Sequence, residues 1–302
     1  MPTYWKYILA TFCLMTIVVW FAVFTFPQKK LHIIACDVGQ GDAILALYGS
    51  TQILIDGGPN DRVLGCLSKY LPFWDRKVEL IILTHPEKDH FSGLIQVFKR
   101  YTVKNFLANS LDSGAQEYQV LKSVVGGSDT KVIYPTNSMS IRLGMIYLDI
   151  VFPTSEFIAT ETKQIASKEN GSVLGTTISN RNTNDFSIVT ILHFDNFEAL
   201  LTGDIQPPVT DLVAEILMKK FPFDFDLIKI PHHGSKNGLT EKLLKTVKPE
   251  IAVISVGKNN SYGHPHEETL KLLKDQDVRI LRTDERGDIE LISDGKNIHI
   301  KN

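Results

Sequence analysis

The apolar run "VELIIL" at residues 78–83 ends abruptly in "THPEKDH" at residues 84–90, and this junction constrains the fold more than any other stretch. A run of this kind suits a strand buried on both faces, as in a parallel sheet covered by helices. The turn that follows packs His85, Glu87, Asp89 and His90 around Lys88. A helix N-terminus capped by Asp89 would account for one of these side chains. It leaves two adjacent histidines unexplained. Alternate residues of a short turn can face different ions, and imidazole nitrogens and carboxylate oxygens bind zinc at about 2.0–2.2 Å.

The pattern recurs along the chain. Six of the nine histidines fall in three clusters: His85 with His90, His232 with His233 in "PHHGS", and His264 with His266 in "YGHPH". Each cluster lies just beyond the C-terminal end of a predicted strand, as do Asp56 in "LIDGG" and Asp204 in "LLTGD". Loops at strand ends are where α/β architectures place their sites.

Other segments fill in the architecture. Leu31–Cys36, Ala43–Tyr48 and Gln52–Ile55 read as strands divided by the turns "DVGQGD" and "YGS", and "DGGPND" closes the third. Gly39 and Gly41 make a tight turn of "DVGQGD", with Asp37 and Asp42 as its caps. "FSGLIQVFKRY" is a helix candidate and "VKNFLA" a strand. Residues 153–184, rich in Ser, Thr, Asn and Gly, predict a long surface loop. A hairpin follows ("FSIVTILHF", turn "DN", "FEALLT"), then alternating strands and helices, with helices over Leu239–Val247 and Glu267–Asp275. Strand-rich segments mixed with helices predict a sandwich of sheets covered by helices.

The 302 residues carry a net charge of −2 and are 43% hydrophobic, which suits one large globular domain and argues against a basic coat for nucleic acid. Of three cysteines, Cys13 lies in an apolar run, and Cys36 with Cys66 predict neither a disulfide framework nor a zinc finger. Ile8–Phe26 has no charged residue and would span about 28 Å as a helix. It reads as a single uncleaved membrane anchor, because bulky "FTFPQKK" replaces the small residues of a cleavage site. Lys6 opposes Lys29 and Lys30, so the flanking charges leave orientation open. The expected division is residues 1–30 as anchor and flank, and 31–302 as the folded domain.

"HPEKDH", "LLTGD" and "PHHGS", in that order, resemble the metallo-β-lactamase superfamily of metallohydrolases. With "DVGQGDAIL", "ILIDGG", "NDFSIV", "LIKIPHHGS" and "ISVGKNNSYGHPH", the chain is more similar still to the C-terminal domain of ComEC-type competence proteins, which take up DNA. The likeness covers about residues 31–292. It implies a four-layer αβ/βα sandwich with two divalent metal ions, Zn²⁺ or Mn²⁺, along one edge. It also implies that His85 and Glu87 serve one metal, Asp89 and His90 the other, and that Asp204 bridges them. The last ligand is His232, the first histidine off the strand, or its neighbour His233. Asp56 would brace the metal loop, with Gly57 and Gly58 letting the backbone pass close.

Two departures from the family pattern matter. Glu87 stands where histidine is commonest, and a harder ligand set tilts preference toward Mn²⁺. The histidine expected ahead of the bridging aspartate is missing. His193 does not fill that slot, because the hairpin puts it by the turn, roughly 26 Å from the end that carries Asp185 and Asp204. Asp185 or Asn184 is the local substitute.

The resemblance implies a membrane-anchored hydrolase of phosphodiesters, with DNA as substrate and the domain outside the cytoplasm. Asp89 and Asp204 would orient the nucleophile, and Lys236, Lys258 and His264 would contact phosphate. His264 would also protonate a leaving oxygen. Uptake channels of this family are polytopic, so a chain with one span would work with a separate channel protein. The rival expectations are a hydrolase of another ester (phosphocholine ester, lactam or lactone) and a non-catalytic metal-binding module that docks a membrane partner.

Overall fold

The computed structural model describes residues 4–25, 30–136, 138–165 and 174–301. Phe26, which closes the apolar run, and the middle of the expected loop, residues 166–173, lie outside the described residues.

The first half runs α1 (Tyr4–Thr25), β1 (Leu31–Ala35), β2 (Ile44–Tyr48), β3 (Thr51–Ile55), α2 (Arg62–Tyr70), β4 (Lys77–Leu83), α3 (Lys88–Phe91), α4 (Leu94–Arg100), β5 (Thr102–Ala108), α5 (Gln116–Gly126) and β6 (Lys131–Ile133). It continues through β7 (Ser140–Leu143), β8 (Ile146–Phe152), α6 (Ser155–Glu161), β9 (Lys163–Gln164) and β10 (Thr177–Ile178). The second half holds β11 (Val189–Phe194), β12 (Phe197–Leu201), α7 (Val209–Lys220), β13 (Leu227–Lys229), α8 (Glu241–Val247), β14 (Ile251–Ile254), α9 (Glu267–Lys274), β15 (Arg279–Arg282), α10 (Thr283–Arg286), β16 (Ile289–Ser293) and β17 (Ile298–Lys301).

Two large sheets result, ordered β17-β16-β1-β2-β3-β4-β5-β6 and β15-β14-β13-β12-β11-β8-β7, beside a small β10-β9 pair. Strands β3 to β6 run parallel, as do β12 to β15. The sheets face each other across one apolar layer, where Ile53, Ile82 and Leu107 meet Leu192, Leu201 and Val253. Leu67, Leu94 and Tyr118 cover the outer face of the first sheet, and Val213, Leu243 and Leu273 that of the second. Helices thus lie outside both sheets in a four-layer αβ/βα sandwich. Leu80–Leu83 of β4 are all buried, which explains why that run carries no polar alternation.

The hairpin pairs Thr190 with Leu201 and His193 with Glu198, so His193 sits by the turn and Asp204 follows the opposite end. The His193 ring pairs with Asp149 Oδ2 (3.1 Å) and with Glu198.

Two expectations are corrected. Residues 153–184 are not one loop: Thr154 Oγ1 caps α6 by accepting from Phe157 N, and β9 pairs with β10 beyond it. Cys36 and Cys66 form a disulfide with their Cα atoms 5.9 Å apart. It ties the end of β1 to α2, a proximity that arises only when the helix packs on the sheet.

The α1 helix has 22 residues, about 33 Å at 1.5 Å per residue, and is long and apolar enough to cross a membrane. Its side chains from Tyr4 to Phe21 are all exposed.

Candidate metal centre

Asp56, His85, Asp204 and His233 follow the C-terminal ends of β3, β4, β12 and β13. Asp56 adopts a positive φ of 59° and is buried. Its Oδ1 accepts from Thr84 N (2.8 Å), and its Oδ2 accepts from Thr84 Oγ1 (2.7 Å) and His90 Nδ1 (2.8 Å). The Thr84 hydroxyl spends its proton on Asp56, so its oxygen accepts from His85 Nδ1 at 3.0 Å. His233 Nδ1 donates to the Ser255 carbonyl at 3.0 Å. All three imidazoles are therefore anchored through Nδ1, which leaves Nε2 as the atom each ring can offer to a metal once it is deprotonated.

The Nε2 atoms of His90 and His233 converge on two carboxylates. Asp204 Oδ2 lies 3.1 Å from His233 Nε2 and 3.3 Å from His90 Nε2, and Asp89 Oδ2 lies 3.3 Å from His233 Nε2 and 4.0 Å from His90 Nε2. Donor atoms of Asp89, His90, Asp204 and His233 all fall within 4.8 Å of one another. Four donors around zinc at about 2.1 Å would stand about 3.4 Å apart, close to these separations. His85 Nε2, His90 Nε2 and Asn184 Oδ1 are buried without a hydrogen-bond partner. Buried polar groups are seldom left so, and a role as metal ligands accounts for them. The residues fit a metal.

Buried charge surrounds the cluster. Lys229, only 1% exposed, bonds Asp42 and reaches Asp204 Oδ1 at 3.0 Å and the Gly203 carbonyl at 2.8 Å. Burial alone would raise the Asp204 carboxyl, but His233, Lys229 and His90 hold it well below the usual carboxylate range. Burial would also raise Asp42, yet Lys229 and His233 keep it low. His85 lacks such a partner, and burial beside His90 pushes it down to about 3. Its ring is neutral, as a metal ligand must be.

Glycines let the loops approach. A Cβ on Gly41 (φ +142°) would come within 2.2 Å of the Asp89 carbonyl, to which Asp42 N donates at 3.1 Å. A Cβ on Gly57 would strike Leu94, while Gly57 N donates to the His90 carbonyl at 2.7 Å and Gly58 N to Asp42 O at 2.7 Å.

Other sequence-selected residues stand apart from the four-donor cluster. His232 and His233 both adopt left-handed backbone (φ 51° and 53°), a kink that turns the second ring into the cluster and the first toward Gln206 at 2.9 Å. His233, rather than the favoured His232, is the histidine that joins Asp204. Glu87 lines the cleft and accepts from the Thr183 hydroxyl. Asp185 turns its carboxylate to Arg181 Nε at 3.3 Å, whereas Asn184 keeps an unpaired oxygen. His264 stacks on Tyr262 with ring centres 5.6 Å apart, and burial with His232 and His233 nearby pushes it down to about 4. Lys236 is exposed outside the cleft lining, and Lys258 lines a neighbouring cavity. The cleft itself has a volume of about 590 Å³ and opens over Asp89 and His233, with Lys88 and Tyr262 along its wall.

Sequence reasoning missed Lys229 and gave Asp42 only a capping role. A signal was present in both cases: a lysine inside the apolar strand "LIKI", and an aspartate entering the buried run "AIL", each need a buried partner of opposite charge.

The fold matches solved structures along most of its length. YhfI of Bacillus subtilis, a metallo-β-lactamase fold protein, superposes with a TM-score of 0.56 at 11% identity, covering 88% of this chain and 100% of that one. The chain has the metallo-β-lactamase fold. CmlA, a diiron β-hydroxylase from Streptomyces venezuelae, shares it with a TM-score of 0.53 at 12% identity, over 88% of this chain and 54% of that one. No protein-family model matches the chain.

In sequence, this metallo-β-lactamase-fold chain is related to competence proteins. Competence protein ComA of Neisseria gonorrhoeae is 34% identical over 271 residues, and ComE operon protein 3 of Bacillus subtilis is 26% identical over 298. Recombination protein 2 of Haemophilus influenzae is 27% identical over 242 residues. These matches cover 87%, 90% and 78% of this chain, which spans about a third or less of each relative (32%, 34% and 26%).

Proposed function

We propose that the protein is a membrane-anchored, metal-dependent hydrolase of phosphodiesters, with DNA as its substrate. One observation carries the hydrolase reading: two Nδ1-anchored imidazoles, His90 and His233, and two carboxylates, Asp89 and Asp204, bring their free donor atoms within 4.8 Å of one another where an open cleft reaches Asp89 and His233. The likeness to competence proteins supports DNA.

Asp89, His90, Asp204 and His233 would hold one divalent ion, and His85 with Asn184 or Asp185 and Glu87 would contribute to a second. A bound divalent ion supplies Lewis acidity toward a phosphoryl oxygen and lowers the pKa of water. The chain's own groups do the rest. Asp56 and Ser255 fix the His90 and His233 tautomers, and Lys229 occupies Asp204 Oδ1 so that Oδ2 faces the cluster. His264, at the cleft wall, is neutral at pH 7 and suited to hydrogen-bond a phosphate oxygen.

The Glu87 carboxylate and the amide oxygen of Asn184 make the set harder than a histidine-rich one, which favours Mn²⁺ over Zn²⁺. The anchor reading rests on the exposed apolar α1. The Cys36–Cys66 disulfide supports an extracytoplasmic domain, since such bonds persist in oxidising compartments. Partnership with a separate channel protein rests on the likeness to competence proteins alone.

The test is metal content measured together with turnover of bis(p-nitrophenyl) phosphate, DNA and a β-lactam. Metal-dependent cleavage of both phosphodiesters, faster with Mn²⁺, is expected. Asp204→Ala or His90→Ala should empty the site, with affinity falling by at least about 10–100-fold. His193→Ala should leave metal occupancy near normal, and His264→Ala should slow turnover without metal loss. A protein that opened the lactam but left both phosphodiesters intact would sink the phosphodiesterase reading. Bound metal with no turnover of any of the three would favour a non-catalytic module.

A further inference from the structure

The catalytic cleft does not end at its own walls. A second cavity of about 570 Å³ adjoins it through Gln40 and Pro59, which line both. A third, of about 810 Å³, adjoins the second through Asp37 and Arg62. The three form one path from Asp89 and His233, across the "DVGQGD" turn, to α2 and the edge strand β17.

The path beyond the cleft is cationic, although the whole chain is slightly acidic. Arg62, Lys69, Lys258, Arg286 and Lys301 line it, against Asp37, Asp288 and Glu290. Two carboxylates are already engaged: Asp288 Oδ2 binds Lys69 at 2.8 Å and Glu290 Oε2 binds Lys301 at 2.9 Å. Arg62, Lys258 and Arg286 are exposed and form no ion pair with a described residue. Aromatic faces stand at both ends, with Tyr262, 66% exposed, at the cleft and Tyr70 at the far cavity.

We propose that this path is a binding track for a single nucleic-acid strand, which lays its phosphates along Arg62, Lys258 and Arg286 and leads one phosphodiester into the cleft. The proposal rests on the phosphodiesterase reading and adds to it the form of the substrate. Cationic grooves with separated aromatic faces suit a flexible strand, because its phosphates follow the charge while unstacked bases find aromatic partners. The unpaired cations on the path create a local attractive field despite the net charge of −2.

The experiment uses the full chain in detergent micelles. A fluorescent oligo(dT) of about 20 nucleotides is titrated in EDTA across a salt series, for the wild type and for Arg62→Gln with Arg286→Gln. Both arginines are exposed, and matched thermal melts check folding. The wild type should bind the strand more tightly than a duplex of equal length. The double variant should bind about tenfold more weakly, with a salt slope shallower by about 1.4, at about 0.7 per lost phosphate contact. Its turnover of bis(p-nitrophenyl) phosphate should match wild type, since that ester does not reach the track. A bromodeoxyuridine strand should crosslink to peptides containing Tyr70 or Tyr262. Equal affinity and slope in the folded variant, absence of strand binding by the wild type, or equal preference for duplex would each overturn the track. Strand binding without ester turnover would uphold the track and remove the hydrolytic reading.

Discussion

Lys229 is 1% exposed and stands between Asp42 and Asp204, so a buried three-charge network underlies the candidate metal centre. Burial disfavours the ammonium, but the two carboxylates reverse that and raise its pKa. Removing one member of such a network leaves uncompensated charge, at a cost of about 3–5 kcal/mol. Lys229→Met should therefore lower the melting temperature of the metal-free protein by on the order of 10 °C, and added divalent metal should restore part of the loss. An unchanged melt would mean that Asp42 and Asp204 take up protons or water at no cost. The network was partly legible, because a lysine within "LIKI" announces a buried partner. Which carboxylates answer it depends on loops that are distant in the chain.

At the scale of elements, the hairpin and the disulfide behave differently. The β11–β12 register could be read from apolar spacing around a two-residue turn, since both strands are neighbours in sequence. The Cys36–Cys66 bond could not, because α2 reaches the end of β1 only after packing on the first sheet. Closing a segment of 30 residues constrains the unfolded chain by about 3–4 kcal/mol. Replacing both cysteines with serine should cost roughly that stability and leave the fold intact. Thiol titration of the denatured, unreduced protein should find one reactive thiol, Cys13, and three after reduction. Three thiols before reduction would exclude the bond and weaken the extracytoplasmic assignment with it.

For the whole molecule, two sheets share one apolar layer and bring the loop clusters of both halves to a common edge, while α1 contributes no buried side chain from Tyr4 to Phe21. Deleting residues 1–28 should give a soluble protein with an unchanged far-ultraviolet spectrum for the remaining elements and full metal occupancy. Aggregation or metal loss in that variant would show that α1 belongs to the folded core. Protease protection of the domain in intact cells, compared with lysed cells, reads the side of the membrane on which it lies.

The sequence by itself determined the buried strand before "THPEKDH", the hairpin register and the placement of histidines and aspartates at strand ends, because these are local consequences of side-chain pattern and turn chemistry. Tertiary structure decided which donors meet. The consecutive left-handed residues at His232 and His233 turn the second ring, not the first, toward Asp204. Arg181 holds the Asp185 carboxylate and leaves Asn184 Oδ1 unpaired. Asp42, Lys229 and Asp204, and Cys36 with Cys66, come together only when sheets and helices pack. Pattern along a chain constrains which face is buried, whereas the direction of a side chain at a loop end depends on backbone torsions and on charges brought in from elsewhere.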